Sequence, residues 1–247
     1  MSRAVVMAGW GDVPHLSEAE QRDLRKSIPP YQRDARTKGI PQLGAGAIYP
    51  IEETEITVEP FEIPRHWPRA YALDVGWKHT AALWGAMERE TDTWFLYAEY
   101  YRGHAEPAVH AAAIRARGEW IPGCVDPAAH GRGQDDGKKL IDSYRGQGLE
   151  LYIADHAVEV GIFDVYERLS TGRLKVCKTL RNWLAEYRIY RRDHLGRIAE
   201  TPDHLMDDTR YLIRTGMEIM TTEPVDDHVN YSQQAAQARG KSKTGYG

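Results

Sequence analysis

The sequence predicts an α/β fold: a mixed sheet, three antiparallel strands followed by parallel ones, flanked by helices. Three observations carry this expectation. Residues 69–101 hold three strand-like runs separated only by short turns, which favours a meander. From residue 106 onward, short apolar runs alternate with helical stretches, the pattern of strands joined by crossovers. Hydrophobic residues make up 42% of the 247, enough for a core of ordinary size.

The elements follow in order. Ser17 as N-cap with Glu20 three positions on is a capping-box pattern, so a helix is expected over 17–25. Residues 1–66 are otherwise rich in turn formers (Pro14, Pro29, Pro30, Pro41, Pro50, Pro60 and Pro64) and read as an extension or linker that buries little core. Strands are expected over 69–76, 80–87 and 93–101. A helix follows over 106–117 with Pro107 in its first turn. Next come a short buried strand at 120–126, a helix at 135–145, a strand at 150–154, a helix at 157–169 and a strand at 173–177. Residues 179–187 start helical. Residues 187–198 read as a hairpin turning at Asp193-His194-Leu195-Gly196. The last helix spans 203–214, and residues 222–247 form a polar tail expected to lack order of its own.

Composition excludes several classes. Mean hydropathy is −0.59, and no stretch approaches the ~20 apolar residues of a membrane-spanning helix. The first residues lack the long apolar run of a secretory signal. Two cysteines, Cys124 and Cys177, are too few for a disulfide framework or a cysteine-rich zinc site; they suit a reducing compartment and read as buried small residues. Net charge is −4, mildly unlike a nucleic-acid binder. That figure hides an asymmetry. Residues 168–197 hold nine basic residues against Glu186 and Asp193, a net +7, which leaves −11 for the rest.

Three acidic positions stand out. Asp74 closes the first strand, and Asp126 closes the strand before Pro127, the strand end where α/β sheets place ligands. Asp203 and Asp207 are four apart on the last helix and share a face, while Leu205, Met206, Thr209, Leu212 and Ile213 form the packing face. Such carboxylates suit hard divalent cations. Each has a simpler reading: Asp74 and Asp126 as turn residues, Asp203 as the helix N-cap, Asp208 as a solvated helix charge, and His79 and His204 as ordinary histidines. Residues 131–139 look like a phosphate loop, but the spacing is one residue too long and Lys139 stands where Ser or Thr belongs. Ser143 and Ser170 lack a nucleophile signature. Trp77 follows the turn after Asp74 and is placed to line a site.

Residues 71–77, then Val125-Asp126-Pro127-Ala128, then Asp203-His204-Leu205-Met206-Asp207 with Arg210-Tyr211, resemble the nuclease domain of tailed-bacteriophage terminase large subunits. Residues 178–190 resemble the stretch preceding the last motif, and residues 8–16, 34–41 and 46–50 are similar to the end of the family's ATPase domain and its linker. The resemblance implies a ribonuclease H-like fold over 67–221 and a two-metal Mg²⁺ or Mn²⁺ endonuclease acting on concatemeric double-stranded DNA. Asp74, Asp126 and Asp207 would be its metal-binding acids. His204 and Asp203 would be further catalytic residues, and which of Asp203 and Asp207 dominates stays open. A portal protein and a small terminase subunit would be partners, in the host cytoplasm and with no membrane. These residues contain no Walker A sequence, so the ATP motor is expected elsewhere. The +7 segment is expected to track phosphates through Lys178, Arg181, Arg188, Arg191, Arg192 and Arg197, and the modest net charge points to weak non-specific affinity. Two alternatives stand beside this reading: a Holliday-junction-resolvase-like nuclease, and a non-catalytic DNA-binding or docking module of a packaging motor.

Overall fold

Strand β2 (Arg69–Asp74) organises the domain, because it is hydrogen-bonded along both edges. The computed structural model describes residues 10, 17–27, 46–127, 140–193 and 196–225. β2, β3 (Thr80–Glu88) and β4 (Thr93–Arg102) form the expected antiparallel meander. On the other side of β2, β5 (Gly123–Val125) and β6 (Leu151–Ile153) pair in parallel. Beyond β4 lie β7 (Leu174–Cys177) and then β1 (Thr57–Val58), both parallel. The seven-stranded order is β1-β7-β4-β3-β2-β5-β6.

Side-chain alternation splits the core into two faces. Ala70 and Ala72 of β2 face one side with Cys124, while Tyr71 and Leu73 face the other with Val125. The Tyr71 face is covered by α3 (Pro107–Arg115) and α4 (Leu140–Gly146), through Ala111, Ile114, Ile141 and Tyr144. The Ala72 face is covered by α5 (Val158–Ser170), α6 (Arg181–Ile189) and α7 (His204–Tyr211), through Ile162, Val165, Trp183, Leu205, Met206 and Tyr211. The result is three layers, helices on both sides of a mixed sheet. A five-residue π-turn (Leu212–Gly216) and α8 (Met217–Ile219) follow α7. Among the described residues, no helix is long and apolar enough to cross a membrane. Cys124 and Cys177 are buried and unpaired, as expected of small core residues.

The capping box forms on α1 (Glu18–Ser27): the Ser17 N–H donates to Glu20 Oε2 at 2.9 Å and the Glu20 N–H to Ser17 Oγ at 3.3 Å. Two expectations change. The division at residue 66 falls inside the packed unit. Ile48, Tyr49 and Ile56 belong to the main core, a short helix α2 (Glu53–Ile56) precedes β1, and β1 pairs with β7. A proline-rich passage can bury core when strands already in place supply the surface. The 187–198 hairpin is reduced to a single bridge, Arg192 to Ile198, because Trp183, Leu184 and Tyr187 keep helical spacing into the core and carry α6 to Ile189. The phosphate-loop-like residues 131–139, the start of the 135–145 helix, His194, Leu195 and the tail from 226 lie outside the described residues.

Gly123 sits opposite Tyr71, and a Cβ there would overlap the buried Tyr71 ring. Gly123→Ala should cost about 1–3 kcal/mol through overpacking, read from urea denaturation. A wild-type midpoint would contradict the packing of β5 on β2.

Candidate active site

The register of β2 on β5 places two carboxylates side by side. Leu73 pairs with Val125, so Asp74 and Asp126 follow at equivalent positions, on strands about 4.8 Å apart. Alternation turns both toward the Ala72 face, beneath α7. The Asp126 N–H donates to Leu73 O at 3.1 Å and locks the two strand ends together.

Helix α7 brings the remaining groups. Leu205, Met206, Thr209, Leu212 and Ile213 are buried, as the spacing predicts, and this leaves Asp203 and Asp207 half-buried. His204 Nδ1 lies 2.6 Å from Asp74 Oδ2. Asp207 accepts a hydrogen bond from Arg210, whose guanidinium is almost wholly buried. Burial raises Asp203 to about 6, and Asp207 and Asp74 add to the rise by repulsion. Burial also raises Asp207, opposed by Arg210 and reinforced by Asp74 and Asp126. The hydrogen bond to Asp74 raises His204, which favours the imidazolium. The four carboxylates therefore form one electrostatic group. Among the described residues, no three His, Cys, Asp or Glu side chains are arranged to hold a metal ion. Asp74 is turned to His204, and Asp207 to Arg210. In donor chemistry the group fits a hard cation, being carboxylate oxygens whose repulsion a positive charge would relieve.

Two features escape the sequence reading. Asp203 occupies the N-cap position, but its side chain makes no cap bond. Glu186 of α6 supplies the cap instead, accepting the Leu205 N–H at 2.7 Å. This frees the Asp203 carboxylate for the site. Asp208 is fully buried and its carboxylate oxygens have no hydrogen-bond partner among the described residues, which overturns its reading as a solvated charge. The cause is that α7 is enclosed on nearly every side. Burial, reinforced by Asp74 and Glu186, holds the Asp208 carboxyl well above the carboxylate range, hence neutral. The neighbouring Thr209 and Arg210 are buried too.

The predicted phosphate-tracking cations fare differently. Lys178 pairs with Glu59 at 2.5 Å, Arg188 with Glu53 at 2.5 Å, Arg192 with Glu159 at 2.7 Å and Arg197 with Asp193 at 2.9 Å. Arg181 and Arg191 are exposed without an ion pair among the described residues. In the same segment Arg168 and Arg173 both hold Asp92. The histidines are closer to the carboxylates: the His79 ring lies 5.6 Å from His204, and Trp77 is 64% exposed in the adjoining loop.

A mixed sheet in this strand order, with carboxylates on neighbouring strand ends under a late helix, defines a ribonuclease H-like domain. The chain belongs to the family described as Terminase RNaseH-like domain, which matches residues 71–215. It is 32% identical over 222 residues to the terminase large subunits of Salmonella phage P22 and Enterobacteria phage LP7, across 85% of this chain. The alignments cover 44% and 46% of those proteins, so the chain spans about half the length of the curated relatives it matches. The solved P22 large terminase nuclease domain superposes with a TM-score of 0.67 at 26% identity, over 74% of this chain and 97% of that one. The solved large terminase of a thermophilic bacteriophage shares the fold at a TM-score of 0.60 and 18% identity, over 83% of this chain and 54% of that one. The resemblance to terminase nuclease domains and the ribonuclease H-like expectation are both borne out.

Burial raises Glu186 from the usual 4.5 to about 7. A carboxyl raised on folding contributes stability below its unfolded pKa and loses it as pH rises through the folded value. His204, raised by Asp74, acts in the same direction. The melting temperature of metal-free protein should therefore carry a component that falls between about pH 5 and about pH 8. Glu186→Gln keeps an acceptor for Leu205 but cannot ionise. It should flatten that fall and gain about 2 kcal/mol at the upper end. Parallel melting-temperature curves for the two proteins would remove Glu186 as the cause.

Proposed function

We propose that this chain is the nuclease part of a terminase large subunit that hydrolyses concatemeric double-stranded DNA with Mg²⁺ or Mn²⁺. The observation that carries the reading is the pairing of Leu73 with Val125, which sets Asp74 and Asp126 on adjacent strand ends facing Asp203 and Asp207. Asp74, Asp126 and Asp207 would hold two divalent cations, with Asp203 as an added acidic group. When bound, such metals activate a water for attack on the phosphate and stabilise the departing oxygen.

The protein's own groups set the conditions. His204 fixes the orientation of Asp74 through its Nδ1 contact. Arg210 restrains Asp207 and offsets part of the carboxylate charge before metal arrives. Glu186 holds the start of α7 by its bond to the Leu205 N–H. Asp208, neutral in its buried position, adds no further negative charge beneath the site. In the full assembly the chain would act beside an ATP motor, a portal protein and a small terminase subunit, in the host cytoplasm. The non-catalytic docking reading draws on one observation: as they stand, Asp74 and Asp207 engage His204 and Arg210 rather than converging on a cation site.

Plasmid incubated with Mn²⁺ should be cut, and EDTA should abolish the cutting. Asp74→Ala should reduce the rate to background, and His204→Ala should lower it about 10–100-fold, as expected for a residue that orients a metal ligand. Cleavage in EDTA, or wild-type cleavage by Asp74→Ala, would overturn the mechanism. No cleavage and no bound Mn²⁺ at any concentration would favour the docking module. A strong preference for four-way junctions over linear duplex would favour a resolvase.

A further inference from the structure

The loop between β2 and β3 leaves the site directly, running from Val75 to His79 after Asp74. Three ties fix its shape. The Thr80 hydroxyl donates to Gly76 O at 2.9 Å, and the His104 N–H donates to Trp77 O at 2.9 Å. Gly103 packs so tightly on Lys78 O that no Cβ fits there. The neighbouring His104 is held at φ 53°, a left-handed conformation that non-glycine residues adopt only under constraint. So the loop is over-determined, and what it presents is set by the backbone.

It presents Trp77, Lys78 and His79, all exposed, with Arg102 and His104 exposed at the adjoining end of β4. Among the described residues, the one ring packed on the Trp77 indole is His104, edge-on at 5.9 Å between ring centres. A rigid scaffold thus displays a large aromatic surface to water, three residues after Asp74, whose His204 partner packs on the His79 ring. Charge points the same way. Lys78 and Arg102, like Arg181 and Arg191, have no ion pair among the described residues, whereas Lys178, Arg188, Arg192 and Arg197 are each bound to a carboxylate; of the four without a pair, Lys78 and Arg102 are the two at the loop that leaves Asp74. An unpaired cation can neutralise a phosphate without first breaking a protein contact.

We propose that Trp77, Lys78 and Arg102 form the contact that seats duplex DNA beside the carboxylates. Lys78 and Arg102 take backbone phosphates flanking the cleavage point. The Trp77 indole packs on a sugar or an unstacked base at that point, fixing the strand's position where phosphate contacts alone would let it slide. The proposal rests on the nuclease reading only for the identity of the polymer.

The test measures fluorescence anisotropy of a labelled blunt duplex of arbitrary sequence on the full chain in EDTA, across a salt series, beside plasmid cleavage in Mn²⁺. Trp77→Ala should weaken binding about tenfold, and Trp77→Phe should recover most of the loss. Lys78→Ala with Arg102→Ala should lower the slope of log affinity against log salt by about two, one phosphate contact for each cation removed. Melting temperature and Mn²⁺ binding should match wild type, which a merely structural role for Trp77 would not allow. If these variants keep wild-type affinity and slope while the plasmid is cut, the loop assignment fails and the nuclease reading stands. If the duplex binds as described but nothing is cut in Mn²⁺, the nuclease reading fails and the contact stands. A slope lowered instead by Arg188→Ala with Arg192→Ala would place the contact on the end of α6 and the chain after it, and overturn the proposal.

Discussion

The site depends on β2 being bonded on both edges. Antiparallel pairing with β3 and parallel pairing with β5 leave the strand no freedom to slip, and a one-residue slip would turn every side chain to the opposite face. Asp74 would then point among Tyr71 and Leu73 rather than beneath α7. The same register sets Asp126, because β5 is three residues long and is held in parallel register against β2 as well as β6. A carboxylate pair that must share charge at close range is thereby placed by backbone hydrogen bonds, the least adjustable contacts in the domain.

Burial makes that placement electrostatically tense. Helix α7 is covered on nearly all sides, so its acids meet the sheet in a poorly solvated space. Asp208 responds by staying neutral, Asp203 by a pKa near 6, and Asp207 by its bond to Arg210. Arg210 is set directly against Asp207, and His204, whose imidazolium is favoured by its bond to Asp74, against Asp74. Burial and mutual repulsion still raise Asp203 and Asp207. That repulsion is what a divalent cation would relieve there, while burial keeps Glu186, which serves as a cap, from becoming another full charge.

The alternation of apolar residues made the meander and the crossover strands legible, and four-residue spacing placed Asp203 and Asp207 on one face. Both signals are local, and both survive folding because they concern neighbours in the chain. What stayed hidden depends on distant partners. Asp203 reads as a cap because local chemistry offers one, yet Glu186 reaches Leu205 from α6 and displaces it. Glu99 on β4 does the same for α6, accepting from Asn182 and Trp183 N–H groups at 2.9 Å. Asp208 reads as solvated because an acid beside an acid on a helix usually is, whereas here the helix has little solvent face. Ile48 and Ile56 lie in a passage with no periodic pattern, and only the surface left open by β7 and α6 draws them into the core.

The clustered positive charge is the clearest case of order in sequence without order in space. Asp92, Glu53, Glu59 and Glu159 come from a β-turn, α2, the chain after β1 and α5, and each meets a cation of the 168–197 segment. Much of the surplus of seven charges along thirty residues of chain is therefore taken up in ion pairs once the chain folds, with Arg181 and Arg191 left outside them among the described residues. Exposed pairs of this kind hold each other only weakly, by about 0–1 kcal/mol, so they add little stability. Their larger effect is on the field. Paired charges present a dipole to an approaching phosphate, whose pull falls off faster with distance than that of a lone cation. The field an approaching phosphate would meet is then weighted toward cations without an ion pair among the described residues, of which Lys78 and Arg102 stand at the loop and strand end that adjoin Asp74, and Arg181 and Arg191 lie in the 168–197 segment.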